Sequence, residues 1–170
     1  MKLKFLLLLP MLVLGPSAKH YFVDEALGRV NTGNNCLVLN APDLAGPLNS
    51  LDSLIKSSDI VVVDFWFTGC ASCRKAIPEL EEIYAEFYKK KVKFYGVTAY
   101  DNDEKIKNFK TKVSVRYPLL QISSEVTKKY YISEYPTLMI FSKGKPALTI
   151  EGYSILFKSQ VKAKLDALVK

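Results

Sequence analysis

Two cysteines separated by two residues, Cys70 and Cys73, are the side chains of this 170-residue chain best suited to chemistry. Thiols at this spacing can close a small disulfide ring and open it again, so the pair can exchange two electrons. The start of a helix favours a thiolate, because backbone N–H groups and the helix dipole offer positive charge there, and Arg74 adds more. We therefore predict that Cys70 is an exposed attacking thiolate and Cys73 the resolving thiol.

Two other interpretations of the cysteine pair are a zinc site and an inert structural bridge. A structural zinc ion takes about four ligands, and the chain offers only Cys36 and His20 in addition. We therefore expect no metal and no other cofactor. The inert bridge stays open, because it would have the same sequence pattern.

The cysteine pair lies between a predicted strand and a predicted helix. Residues 60–67 read IVVVDFWF, which predicts a strand buried on both faces, and Thr68-Gly69 predicts a turn after it. Apolar residues then recur every three or four positions, as in a helix packed on a sheet. They are Ile77, Leu80, Ile83, Tyr84, Phe87 and Tyr88.

Asp64 interrupts the apolar strand six residues before Cys70. Burial of a carboxylate is costly and raises its pKa, so this group could exchange protons near neutral pH. We predict that Asp64 lies beneath the cysteine pair and takes the proton of Cys73 when that thiol attacks a mixed disulfide. The alternative is an edge position at which the carboxylate is solvated.

These residues resemble the active-site segment of thioredoxin. The shared features are DFW at residues 64–66, the two cysteines of CASC at residues 70–73, and proline 78. The NAPDL of residues 40–44 and the IPEL of residues 77–80 are more similar to the TlpA/ResA branch of extracytoplasmic bacterial proteins. The resemblance covers about residues 36–165. It departs from the family at Gly69, where a tryptophan is common, and at Ala71-Ser72, where Gly-Pro is usual.

The resemblance implies an α/β fold, a three-layer α/β/α sandwich on a mixed central sheet with an amino-terminal extension and a β-α insertion. It also implies that Pro136 follows a cis peptide bond and faces the cysteine pair, although only about 5–6% of X-Pro bonds are cis in general. The backbone of Tyr135 would then pair with an extended substrate segment. Trp66 and Phe67 are predicted to form an apolar rim with Tyr135.

The remaining pattern predicts a β-α-β-α-β-β-α core whose first two strands are parallel, since a helix connects them. Its closing helix offers Ile155, Phe157, Val161, Leu165 and Leu168 for burial. Helices are predicted at 48–58, 101–114, 123–131 and 154–170, strands at 92–98, 137–142 and 147–152, an extended piece at 117–122 and a hairpin turn at 143–146.

The amino terminus is typical of a signal peptide, with Lys2 and Lys4 before about ten apolar residues. We predict a signal peptide at residues 1–18, with an uncleaved membrane anchor as the alternative, and one domain at residues 19–170. Cys36 is interpreted as a small core residue, or alternatively as a regulatory or intermolecular thiol. The net charge is +7, but the lysines are scattered and accompany no aromatic motif, so we expect no nucleic-acid partner.

The function implied is that of an extracytoplasmic thiol-disulfide oxidoreductase, periplasmic or secreted, that acts on disulfide-containing proteins as a monomer. The TlpA/ResA branch typically reduces its substrates, draws on a membrane thiol donor, and serves cytochrome c maturation or disulfide repair. A thiol peroxidase is disfavoured because the Pro-x-x-x-Thr-x-x-Cys pattern is missing. A copper metallochaperone would need histidine or methionine near the cysteines, and none is evident from the sequence. A scaffold role predicts that both cysteines are dispensable.

Overall fold

The computed structural model describes residues 51–170. The predicted signal peptide, His20, Cys36 and the segment 40–44 lie outside the described residues. Within this range the chain forms α1 (Leu51–Ile55), β1 (Ile60–Phe65), α2 (Ala71–Phe87), β2 (Val92–Thr98), α3 (Asp103–Lys112), β3 (Leu119–Gln121), α4 (Ser124–Lys129), β4 (Thr137–Ser142), β5 (Lys145–Glu151) and α5 (Phe157–Leu168).

One mixed sheet with the strand order β3-β2-β1-β4-β5 forms the middle layer. β1 pairs in parallel with β2, and β2 in parallel with β3. β4 runs antiparallel to β1 and is followed by antiparallel β5. The predicted mixed sheet and parallel first pair are confirmed, and β1 lies at the centre of the sheet.

Side chains of β1 alternate between two apolar cores, as expected for a strand buried on both faces. Val62 and Trp66 contact one core, which α2, α3 and α5 cover. Val61, Val63 and Phe65 contact the other core, beneath α1 and α4. The three-layer sandwich predicted from the sequence is therefore confirmed.

Residues 117–131, predicted as a β-α insertion, supply β3 and α4. β3 pairs with the end of β2, so this segment extends the central sheet by one edge strand. Within residues 51–170, no helix is both long and apolar enough to cross a bilayer.

Three local expectations were wrong. Ile155, predicted to be buried, is 93% exposed, because a turn from Ser154 to Phe157 precedes α5 and carries this side chain outward. Tyr88 follows the end of α2 and is also exposed. The hairpin turn consists of Lys143 and Gly144 alone, both with positive φ angles, as a two-residue turn between twisted strands requires.

Candidate active site

Cys70 caps the amino terminus of α2, as predicted. Its backbone is extended, and its Sγ accepts a hydrogen bond from the backbone N–H of Cys73 at 3.0 Å. The two cysteines form a disulfide bond. A helix end that donates N–H bonds to a sulfur stabilises negative charge there once the disulfide is reduced.

Access to the two sulfurs is unequal. Cys73 is fully buried, whereas Cys70 is 5% exposed and lines an open cleft of about 680 Å³. The expectation of an exposed Cys70 was therefore wrong for the disulfide form, in which packing against the sheet leaves only a small part of this residue accessible. A partner entering the cleft reaches Cys70 before Cys73.

Asp64 lies in the central strand and is 2% exposed. Its side chain points to the face of the sheet on which α2 packs, and Cys73 belongs to the core on that face. The edge position considered as an alternative is therefore wrong, because β2 and β4 flank this strand on both sides. Burial raises the pKa of the Asp64 carboxyl to about 7. A group with this pKa can both accept and release a proton near neutral pH.

The Tyr135–Pro136 peptide bond is cis, as the resemblance implied. Tyr135 lines the cleft beside Cys70. Its carbonyl oxygen accepts a hydrogen bond of 3.0 Å from the Ser72 hydroxyl, which also lies 3.2 Å from the sulfur of Cys70. Ser72, the residue that replaces the usual proline, therefore connects the cysteine pair to the proposed substrate-binding backbone.

The aromatic rim differs from the predicted one. Phe67 and Tyr135 pack edge to face at 5.3 Å, and both contact Tyr100, which is 63% exposed. Trp66 is fully buried and packs against Phe109, so its predicted place in the rim was wrong. The reason is strand alternation, which turns Trp66 into the core below the surface.

Sequence reasoning missed Tyr100. The residue follows β2, and its position past the carboxyl end of a parallel strand was the available signal, because sites in α/β folds lie at that edge.

Asp101 was also missed as a site residue, since it was interpreted as the start of a helix. That helix begins at Asp103, with Asn102 as its cap. Asp101 is 3% exposed and accepts hydrogen bonds from the backbone N–H of Thr68 at 2.6 Å and from the Thr68 hydroxyl at 2.8 Å. It therefore fixes the loop that leads from Asp64 to Cys70.

Replacing Asp101 by alanine is expected to destabilise the fold by about 2–4 kcal/mol, because it leaves the Thr68 donors without their charged acceptor. Guanidinium unfolding of the oxidised protein measures this loss. Asp103→Ala is the matched control, since Asp103 is only partly buried in the first turn of α3 and its loss should cost at most about 1 kcal/mol. Equal losses in the two variants would contradict the anchoring role of Asp101.

Residues 32–146 match the AhpC/TSA family. This match extends over more than half of the chain. The chain belongs to the AhpC/TSA family. The thioredoxin-like resemblance inferred from the sequence is thereby confirmed at the level of the family.

Relatives of this AhpC/TSA-family chain include proteins named thiol-disulfide oxidoreductase ResA. The ResA proteins of Bacillus thuringiensis and Bacillus cereus are each 29% identical to it over 112 residues, which cover 65% of this chain and 61% of the relative. The chain thus matches about three fifths of the length of these relatives.

Solved structures support the fold. A thiol:disulfide interchange protein from a Bacteroides species has a TM-score of 0.65 at 25% identity, over 83% of this chain and 91% of the other. The thioredoxin domain of a thiol-disulfide oxidoreductase from Bacteroides vulgatus has a TM-score of 0.63 at 26% identity, over 78% and 96% respectively. The AhpC/TSA-family chain therefore has a thioredoxin-like fold.

Proposed function

We propose that this protein is a thiol-disulfide oxidoreductase that reduces disulfide bonds of proteins outside the cytoplasm. The observation that carries the proposal is the Cys70–Cys73 disulfide at the start of α2, on the same face as the buried Asp64. Relatives and structural neighbours with thiol-disulfide names support the same chemistry.

The first step is attack of the reduced Cys70 thiolate on a substrate disulfide. One Cys70–substrate S–S bond forms, the substrate S–S bond breaks, and the leaving thiolate takes a proton from solvent. The N–H of Cys73 and the amino terminus of α2 stabilise the Cys70 thiolate before attack. The open cleft around Cys70 gives the substrate room to approach.

In the second step, Cys73 attacks the Cys70 sulfur of the mixed disulfide: the Cys70–Cys73 bond forms, the Cys70–substrate bond breaks, and the second substrate thiolate leaves and takes a proton from solvent. Cys73 must first lose its proton, and we assign Asp64 as the base because its pKa of about 7 suits that transfer. The substrate has then gained two electrons and two protons, and the protein holds the Cys70–Cys73 disulfide. Pro136 and the backbone of Tyr135 are assigned to hold the substrate strand.

The return of the protein to its dithiol form needs a reductant. Following the resemblance to ResA, we propose a membrane thiol donor for that step, with cytochrome c maturation or disulfide repair as the process served. The predicted signal peptide at residues 1–18 is consistent with an extracytoplasmic site, either free or tethered to the inner membrane. We propose that the protein acts as a monomer without a cofactor or metal.

Reduction of insulin by dithiothreitol tests the activity. The wild-type protein is expected to accelerate the precipitation of reduced insulin chains, and Cys70→Ser to lower the rate to that of dithiothreitol alone. Cys36→Ser is the matched control and should keep the wild-type rate. A Cys70→Ser variant as fast as the wild type would contradict the proposed function.

A further inference from the structure

On the face of the sheet covered by α2, α3 and α5, four buried polar atoms have no hydrogen-bond partner among residues 51–170. They are both carboxyl oxygens of Asp64, the indole Nε1 of Trp66 and the hydroxyl of Tyr117. A buried polar group without any partner costs about 1–3 kcal/mol. Three side chains of this kind in one core require a common explanation.

Gly96 brings the three side chains together. It pairs in register with Asp64 on the neighbouring strand, and both residues face the same core. A Cβ atom at Gly96 would lie 2.5 Å from a methyl carbon of Leu119, 3.1 Å from Trp66 Nε1 and 3.2 Å from a ring carbon of Tyr117. The Trp66 and Tyr117 rings therefore both lie over Gly96, the residue beside Asp64 on the neighbouring strand.

The chemistry of these groups is complementary to that of a water molecule. The indole of Trp66 can only donate, the Tyr117 hydroxyl can donate or accept, and an ionised Asp64 can only accept. A water that accepts from Trp66 and Tyr117 and donates to Asp64 makes about three hydrogen bonds, the usual number for buried water. Burial, followed by the negative charges of Asp64 and Glu81, raises the pKa of Tyr117, so its hydroxyl keeps its proton.

We infer that Asp64, Trp66 and Tyr117 bind one buried water molecule, and that Tyr117 is a positioning residue that stabilises the Asp64 carboxylate through this water. The role in the reaction rests on the proposed function, because Asp64 acts there as the base for Cys73. Tyr117 does not touch the substrate. It acts by setting the pH at which Asp64 becomes able to take a proton.

The experiment uses the indole N–H of Trp66, the single tryptophan of the chain, as the reporter. In the oxidised full chain, its NMR shift is expected to change with an inflection near pH 7 that Asp64→Asn abolishes. Tyr117→Phe removes only the hydroxyl and is expected to raise the midpoint by about 0.5 to 1 pH unit. Tyr84→Phe is the control. The ring centroids of Tyr84 and Tyr117 are 6.0 Å apart, so this variant removes a neighbouring hydroxyl that is not assigned to the water, and the midpoint should stay unchanged.

An unchanged or lowered midpoint in Tyr117→Phe would overturn the inference. A second measurement needs no variant: the Trp66 indole proton of the wild type should show magnetisation transfer from a long-lived water, and its absence would also overturn the inference. Neither readout requires substrate. If insulin stays oxidised while the midpoint shifts, the proposed function fails and the water site stands.

Discussion

Replacing Asp64 by asparagine is expected to stabilise the oxidised protein at alkaline pH. The pKa of Asp64 rises on folding from its usual 3.8 to about 7, because the carboxylate is desolvated. Between these values the folded protein holds a proton that the unfolded chain has released, so the wild type loses stability as the pH rises. A difference of about 3 pH units corresponds to roughly 4 kcal/mol above pH 7.

Guanidinium unfolding at several pH values measures this effect. The gain of Asp64→Asn over the wild type should grow from about pH 4 and level off above about pH 7. Asp59→Asn is the control, because Asp59 precedes the same strand but is exposed, and this variant should follow the wild type. If the stability of Asp64→Asn and that of the wild type change with pH in parallel over the whole range, the pKa of Asp64 is not raised in the folded protein.

The same substitution should slow the release of substrate from the mixed disulfide by about 100-fold, since asparagine cannot take the proton of Cys73. The pH dependence of this step near pH 7 should disappear with it. A variant that gains stability yet keeps the wild-type rate and pH profile would remove Asp64 from the mechanism.

Replacing Cys73 by alanine is expected to stop the reaction at the mixed disulfide. Cys70 still attacks, but no internal thiol can release the substrate, so a covalent adduct should accumulate to nearly one per protein. Reduced Cys73→Ala, prepared with Cys36→Ser, is incubated with oxidised insulin and analysed on non-reducing gels and by mass spectrometry. Dithiothreitol should release the adduct.

The matched variant is Cys70→Ala in the same Cys36→Ser background. It should form little adduct, because Cys73 is fully buried. Equal trapping by the two variants would contradict the assigned order of attack. Recovery of small-molecule adducts alone from a cell extract would argue against protein substrates.

The central strand and the helix after it could be predicted because their patterns are local and strong. The apolar residues on both sides of Asp64 favour a strand flanked by two others, and the burial of this carboxyl follows from that placement. The position of Cys70 at a helix start follows from the turn residues before it and the apolar spacing after it. These features depend on neighbours within a few positions in the chain.

Other features depend on contacts between residues far apart in sequence. The hydrogen bonds of Asp101 to Thr68 span 33 residues, and nothing next to Asp101 indicates them. Strand alternation turns Trp66 inward, but its contact with Phe109 depends on which face of the sheet receives α3, which the strand pattern alone does not determine. Ile155 was predicted from its apolar character, whereas the turn before α5 decides its exposure.

The hydroxyl of Ser72 has one hydrogen and two acceptors within reach, the Tyr135 carbonyl and the Cys70 sulfur. In the proposed complex, a client strand whose N–H donates to the Tyr135 carbonyl would compete with the Ser72 hydroxyl for this acceptor. The Ser72 hydroxyl could then donate to the Cys70 sulfur instead, and a hydrogen bond to that sulfur favours the Cys70 thiolate. If the client binds as proposed, rotation of the Ser72 side chain would link recognition of the client backbone to stabilisation of the Cys70 thiolate.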